Sequence, residues 1–336
     1  MTETSASRKA VPADTRSSAR FRSETLAVAM TFVISIILVI ASGFISPALG
    51  SWSQVYTILT LASFLVVVAF GQGLVILIGG LDLSIASVIM LGGVMVTAWS
   101  GSGYPQILMI LAALALCAGV GLVNALGTLW LKVPPFIMTM ATGIIVASSA
   151  LGYTSGTPRG VTPDLFTWLM KSEVAGMPTI LIFVGLFVVC GAVLQGWTSF
   201  GRRLQAVGTN VSAARVAGLS VSLPVVAAYV ISSVCAGFAG MMLVGYANGA
   251  TLRMGDSYLL PSIAAVVIGG SSILGGRGSY IGTVGGAVLL TTLGTVISAL
   301  GIEQGWRTVI EGSIIIAALL LLNETFMSLL GGPARR

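Results

Sequence analysis

The sequence predicts an all-α polytopic membrane protein of about ten transmembrane helices, some of them short or broken. Of its 336 residues, 56% are hydrophobic and only 8% are charged, against about 25% charged residues in a soluble domain. The apolar residues run in long unbroken stretches, not in the short alternating segments of a β-barrel. One basic, mostly polar segment, 198–220, interrupts them with Arg202, Arg203 and Arg215 and no acid.

A span needs about 20 apolar residues. Ten stretches qualify: 25–45, 55–78, 84–99, 105–129, 136–152, 177–197, 222–244, 258–274, 279–300 and 307–330. The third, fifth and eighth are short or interrupted by glycine, so re-entrant or broken helices are expected among them. Residues 25–330 read as one membrane domain between a polar, disordered tail at 1–24 and a short tail at 331–336. No small-residue cleavage site closes a short apolar core, so the start is not read as a removable signal peptide.

Ten spans place both termini on one side. With the N-terminus in the cytoplasm, the inner segments carry Arg8, Lys9, Arg16, Arg20, Arg22, Lys132, Arg202, Arg203, Arg215, Arg277, Arg335 and Arg336. The outer segments carry only Arg159, Lys171, Arg253 and Arg307. That bias follows the positive-inside rule and supports the even span count. The net charge of +6 does not point to nucleic acid, because the basic residues are scattered and no aromatic-rich basic face accompanies them.

The chain has no histidine and three cysteines, Cys117, Cys190 and Cys235, each inside an apolar run. The cysteines read as small hydrophobes. The lack of histidine removes the commonest metal ligand and general base, and no metal site is expected. The glycine-rich run GGSSILGGRGS at 269–279 lacks the Gly-Lys-Ser/Thr ending of a phosphate loop. Nucleophile-elbow and HExxH patterns are absent too. No catalytic residue is assigned, and the chain reads as a non-enzymatic subunit.

Asp82, in IGGLDLSIAS at 78–87, is the acid deepest in apolar sequence. A charge at the bilayer centre is opposed by about 2.5–3.5 kcal/mol and marks function by default. The competing reading is structural: Asp82 or Ser84 caps the helix beginning at Ile85. Asn124 and Thr139 are isolated polar residues inside spans, suited to interhelical hydrogen bonds. With Phe136 they complete the candidate residues of a path or gate. Glu311 follows Arg307 at helical spacing and reads as an ion pair.

Lys132-Val133-Pro134-Pro135-Phe136 marks a stiff turn, because proline disfavours helix in the residue before it. Gly278, Gly282 and Gly286 stand four apart, a stripe that lets helix backbones approach closely; a glycine-lined path is the alternative. The outer loop 153–176 is either a plain connector or a docking surface, since loops of that length are often functional.

Within 198–220, Arg202 and Arg203 flank the end of a span and can snorkel to headgroups. Thr209 or Asn210 can cap a two-turn helix over 211–217, with Gly218 in the left-handed position after it. Such a helix is marginal alone. It is either a connector lying on lipid or a peg for a partner's groove. A membrane chain with a short cytoplasmic helix and no energy-converting motif leans on a soluble partner.

Four patches together resemble the permease subunit of a bacterial ATP-binding-cassette (ABC) sugar importer of the ribose, xylose and galactose type. They are IGGLDLSIAS (78–87), KVPPFIMTMATG (132–143), GRRLQAVGTNVSAARVAGLSV (201–221) and AAVVIGGSSILGGRGSYIGTVGGA (264–287), and the resemblance covers about 30–330. It implies a type II importer fold and a permease dimer, a homodimer more often than a heterodimer. It also implies two cytosolic ATPase subunits that bind ATP and Mg, and a periplasmic or lipid-anchored sugar-binding protein. This chain itself would hold no cofactor, and it would sit in the cytoplasmic membrane with both termini inside.

In the wider importer group a loop with the pattern Glu-Ala-Ala-xxx-Gly docks the ATPase. Here Ala213, Ala214 and Gly218 match that spacing and Ser212 replaces the glutamate. The resemblance therefore assigns docking to Arg202, Arg203, Gly208, Asn210, Ala213, Ala214, Arg215 and Gly218. Alternating access is the implied mechanism, with the short helix carrying ATPase motion to the pore. An ion-coupled secondary transporter using Asp82 is the alternative, followed by a passive channel or membrane scaffold.

Overall fold

The computed structural model describes residues 13–45 and 50–303 and a few positions up to 316, with side chains from residue 28 onward. In chain order the elements are α1 (Ala13–Ile45), α2 (Trp52–Leu77), α3 (Ile85–Trp99), α4 (Gln106–Leu129), α5 (Pro135–Tyr153), α6 (Asp164–Lys171), β1 (Glu173–Val174) and β2 (Met177–Pro178). They continue with α7 (Thr179–Gly196), α8 (Ser199–Thr209), α9 (Val211–Val216), α10 (Ser222–Ala247), α11 (Asp256–Ile268) and α12 (Tyr280–Ala299).

Six of these helices, α2, α4, α5, α7, α10 and α12, are long and apolar enough to cross a membrane. Three more apolar stretches are shorter: Val28–Phe44 within α1, α3 and α11. The chain is therefore an all-α polytopic membrane protein. The predicted tenth span, with the Arg307–Glu311 pair, lies largely outside the described residues, and both of those side chains fall there.

Several expectations need correction. The backbone is helical from Ala13, inside the segment expected to be disordered. Extending an existing helix is far easier than nucleating one, so the apolar span carries its helix back into polar sequence. The fifth span is not broken: α5 runs 19 residues, since an interior glycine opposes a helix by only about 1 kcal/mol. It starts at Pro135 itself, not after it, because proline suits the first helical position. The eighth span stops at Ile268, where Gly269-Gly270 turns the chain and Gly270 takes φ 90°.

At the buried centre α10 packs against α2, α3 and α4. Helices α2, α3 and α4 each place a glycine against it. A Cβ at Gly71 would overlap the Ser232 backbone, one at Gly92 the Gly237 backbone and one at Gly121 the Tyr229 carbonyl. Such close approach lets dispersion hold helices together in lipid, where no hydrophobic drive acts between them. Broad apolar faces of α4, α5 and α7 stay exposed, including Leu111, Ile144 and Leu186, as lipid-facing helices require.

The predicted glycine stripe packs α12 on α11. A Cβ at Gly282 would strike the Gly269 carbonyl and one at Gly286 the Ala265 carbonyl, while Gly278 faces the Ser271 side chain. Gly278 precedes the helix rather than lying on its face, because Ser279 is the N-cap and α12 begins at Tyr280. Cys117 and Cys235 are buried and Cys190 is exposed on α7.

The loop 153–176 is folded. Its helix α6 buries Phe166, Leu169 and Met170, and a Cβ at Gly245 of α10 would meet the Phe166 backbone. A two-residue hairpin pairs Glu173 with Pro178 and Val174 with Met177.

Candidate functional site

Helices α3 and α11 have 15 and 13 residues. At 1.5 Å per residue they reach about 22 and 20 Å, short of an about 30 Å hydrocarbon core. Each is completed by a non-helical, glycine-bearing connection, 78–84 before α3 and 269–279 after α11. Irregular backbone at membrane depth is tolerated only where protein covers it; the first connection is mostly covered, whereas the second leaves Ile273, Leu274 and Arg277 exposed.

The first connection is clamped by three helices. Asp82 is fully buried. Its Oδ1 accepts from the Ser84 amide at 3.0 Å and the Ser84 hydroxyl at 2.6 Å. Its Oδ2 accepts from the Ser232 hydroxyl of α10 at 3.0 Å. The Asn124 amide of α4 donates to Ser84 Oγ at 2.9 Å. Thr139 Oγ1 of α5 accepts from the Leu83 amide at 3.0 Å and lies 3.2 Å from the Leu81 carbonyl.

Asp82, Ser84, Asn124 and Thr139, each a separate candidate in the sequence, come together in the structure. Phe136 is not with them: it is half exposed on α5, at 51%. The capping expectation also changes in detail. Ser84 is the N-cap of α3 but makes no side-chain cap bond, because its hydroxyl is already given to Asp82. Asp82 holds the Ser84 amide instead.

Asp82 has no basic partner; among the described residues the only ion pair is the exposed Arg253–Asp256 contact. Three hydrogen-bond donors take up its two oxygens instead. The Asn124 Oδ1, Tyr229 Oη and Ser233 Oγ atoms are buried without a hydrogen-bond partner among the described residues, and the Tyr229 hydroxyl lies against Gly80. Buried polar atoms left unpaired are rare. Sequence inspection missed Ser232, Ser233 and Tyr229. Their only signal is three polar side chains within five positions of one span, without hint of which face they share.

The second connection meets the first. The Gly276 amide donates to the Leu77 carbonyl at 2.8 Å, so the end of α2 is tied to the loop between α11 and α12. Gly208 of α8 lies on the same spot: a Cβ there would overlap the Leu77 carbonyl oxygen and come against the Gly276 nitrogen. The 198–220 segment thus contains a whole helix, α8, where the sequence predicts loop. Thr198 caps it, and Leu204 and Val207, buried one turn apart, hold it to the bundle.

Beyond α8, the Asn210 side chain accepts the Ala213 amide at 2.9 Å and starts α9, so Asn210, not Thr209, is the cap. Gly218 follows with φ 77°, as expected. Ala214 is buried; Ala213, Arg215 and Gly218 are exposed, and Val216 is 90% exposed. Arg202 bonds the Trp197 carbonyl at 3.1 Å and Ser199 Oγ at 3.0 Å, and Arg203 is exposed. Among the described residues no group of His, Cys, Asp or Glu is placed to hold a metal ion.

The family described as the branched-chain amino acid transport system / permease component matches residues 54–319. The chain is 34% identical over 305 residues to the probable ABC transporter permease protein y4mJ of Sinorhizobium fredii, covering 90% of this chain and 89% of that one. It is 30% identical over 298 residues to the ribose import permease protein of Escherichia coli, covering 88% and 93% of the two chains. With the galactose/methyl galactoside import permease protein of the same organism it shares 30% identity over 309 residues, covering 86% and 92%. No solved structure gives a significant match. The chain belongs to this family of transport-system permease components.

Proposed function

We propose that this permease component forms the translocation path for a sugar in an ATP-driven importer of a bacterial cytoplasmic membrane. The cargo class, a pentose, hexose or sugar alcohol, follows the ribose and galactose permeases to which the chain is similar over nearly its full length. A cytosolic ATPase pair binds ATP and Mg, a sugar-binding protein delivers the cargo outside, and a second copy of this chain completes the path. Both termini lie in the cytoplasm by the distribution of basic residues.

One observation carries the mechanism: Gly208 of α8 sits directly on the contact between Leu77 and Gly276, where the two helix breaks meet. Helix α9, with Ala213, Arg215 and the bare Val216 side chain turned outward, is the part that engages the ATPase. Arg202, Arg203 and Asn210 fix how α8 and α9 leave the membrane. When the ATPase pair closes on ATP, α9 moves and α8 moves with it. The glycine contact is too tight to absorb the displacement, so it passes to the ends of α2 and α11. The Asp82–Ser84–Asn124–Thr139 clamp keeps the α2–α3 break in one piece while the helices tilt.

An ion-coupled transporter using Asp82 requires a carboxylate free to bind and release an ion. Both oxygens of Asp82 are already taken by Ser84 and Ser232 donors. Two measurements test the reading. Purification in mild detergent is expected to bring down a stoichiometric ATPase subunit. In proteoliposomes holding both, with binding protein outside, sugar uptake is expected to need ATP and to survive collapse of the proton and sodium gradients. Uptake by the chain alone under an ion gradient overturns it.

A further inference from the structure

A cavity of about 290 Å³ opens at the end of the bundle opposite α8 and α9, between the first turns of α2, the α6–hairpin junction and the end of α10. That is at the lower edge of the about 300–1,000 Å³ range of small-molecule sites, a size for one monosaccharide and not for an oligomer. Tyr56, Thr57 and Thr60 come from α2, Lys171 and Glu173 from the junction, and Tyr246 from α10. Nothing in the translocation mechanism above uses them.

The lining has a specific chemistry. The side chains of Tyr56, Thr60, Glu173 and Tyr246 make no hydrogen bond to other described residues. Thr57 gives its proton to the Ser53 carbonyl at 2.9 Å and keeps its acceptor capacity. Lys171 donates to Asn248 and retains two further donors. The Tyr246 ring stands edge-on to Phe64 at 5.7 Å, and Phe64 meets Tyr258 at 6.3 Å, so that wall is set before a ligand arrives.

One cation and one anion side by side favour neither an anion nor an amine. An apolar solute would strip water from these hydroxyls and give them no partner. A neutral polyol answers each group: its hydroxyls both donate and accept, and its C–H face lies on a tyrosine ring. We propose that this cavity is an outer-face binding site for one monosaccharide-sized polyol, occupied before the sugar enters the bundle. The assignment rests on the orientation and cargo class given under Proposed function.

The test uses sealed, right-side-out membrane vesicles bearing the whole transporter. Exposed Cys190 is changed to Ser, and Ser53→Cys on the cavity rim, at a side chain given no part in binding, supplies the only accessible thiol of this chain among the described residues, which is labelled with a membrane-impermeant maleimide. D-ribose, D-galactose and D-sorbitol serve as pentose, hexose and sugar-alcohol probes. At a concentration about tenfold above its Kd, a bound probe slows labelling by about tenfold. Adding Glu173→Gln or Tyr246→Ala then restores the unprotected rate.

No protection by any of the three probes overturns the site. ATP-driven import of one of them by the same vesicles would leave the transport reading intact. Protection that depends on phosphatidylglycerol content and not on sugar means a lipid headgroup fills the cavity, which also overturns it. Labelling only from the cytoplasmic face overturns the orientation, and the site falls with it.

Discussion

Helices α2 and α4 are alike in length and composition, 26 and 24 strongly apolar residues, yet 83% of the apolar window of α2 is buried and only 22% of that of α4. Lipid tails are as apolar as leucine, so hydropathy does not tell a helix at the centre from one at the rim. Small and polar residues make the difference. The buried seam of α4 includes Ala113, Cys117 and Gly121, whose small side chains admit α10, and Asn124, whose amide reaches Ser84, beside Ile110 and Val120, while Leu108, Leu111, Leu116 and Leu122 face outward. In this protein leucine serves in either environment, buried at Leu74 and Leu77 and exposed at Leu111 and Leu186, while Gly71, Gly92 and Gly121 stand where another helix comes close.

The sharpest way to break this comparison is to load the two kinds of position alike. Gly92 of α3 meets the Gly237 backbone, whereas a Cβ at Gly119 of α4 would meet nothing within 4 Å. Gly92→Val is expected to lose more than the about 1–3 kcal/mol of ordinary overpacking, because backbone cannot yield. It should abolish folded protein in detergent chromatography, while Gly119→Val keeps the wild-type yield and melting temperature. Equal loss in both would refute the distinction.

Next comes the polar centre. Asp82→Ala removes the acceptor for one buried amide and two buried hydroxyls and is expected to destabilise by about 3 kcal/mol or more. Asp82→Asn keeps one acceptor and should be milder. Both should act on thermal stability and assembly before substrate choice; a changed substrate preference with intact assembly would count against the clamp.

The same contrast recurs in the basic segment. Gly208→Val is expected to uncouple the transporter, leaving ATP hydrolysis but not uptake, because the added side chain pushes α8 off Leu77 and Gly276. Gly218→Val meets no neighbour and strains only a left-handed residue, by about 1–2 kcal/mol. Uptake should fall partially, and normal uptake at normal expression would remove Gly218 from the coupling role. The smallest effect is expected from Asn210→Ala, the loss of one cap worth about 0.5–2 kcal/mol. It should appear as faster amide exchange over 211–216 with the rest of the chain unchanged.

The membrane class, most helix positions and the helix α9 with its cap and left-handed glycine were readable in the sequence. Each rests on a local rule: apolar length, proline at a helix start, a side chain reaching three residues on. The polar residues of the clamp were readable one at a time, because a lone hydroxyl or acid in an apolar run stands out. Their convergence was not, since Asp82 and Ser232 lie 150 positions apart and share two hydrogen-bonded atoms only after four helices have packed. Helix α8 was hidden for a similar reason: its polar composition reads as loop until Leu204 and Val207 find a surface to cover. Hydropathy alone determined that this chain partitions into lipid. Tertiary packing decided which helices lie at the centre and where the two breaks touch, because those choices depend on contacts between small side chains too far apart in sequence for any local pattern to record.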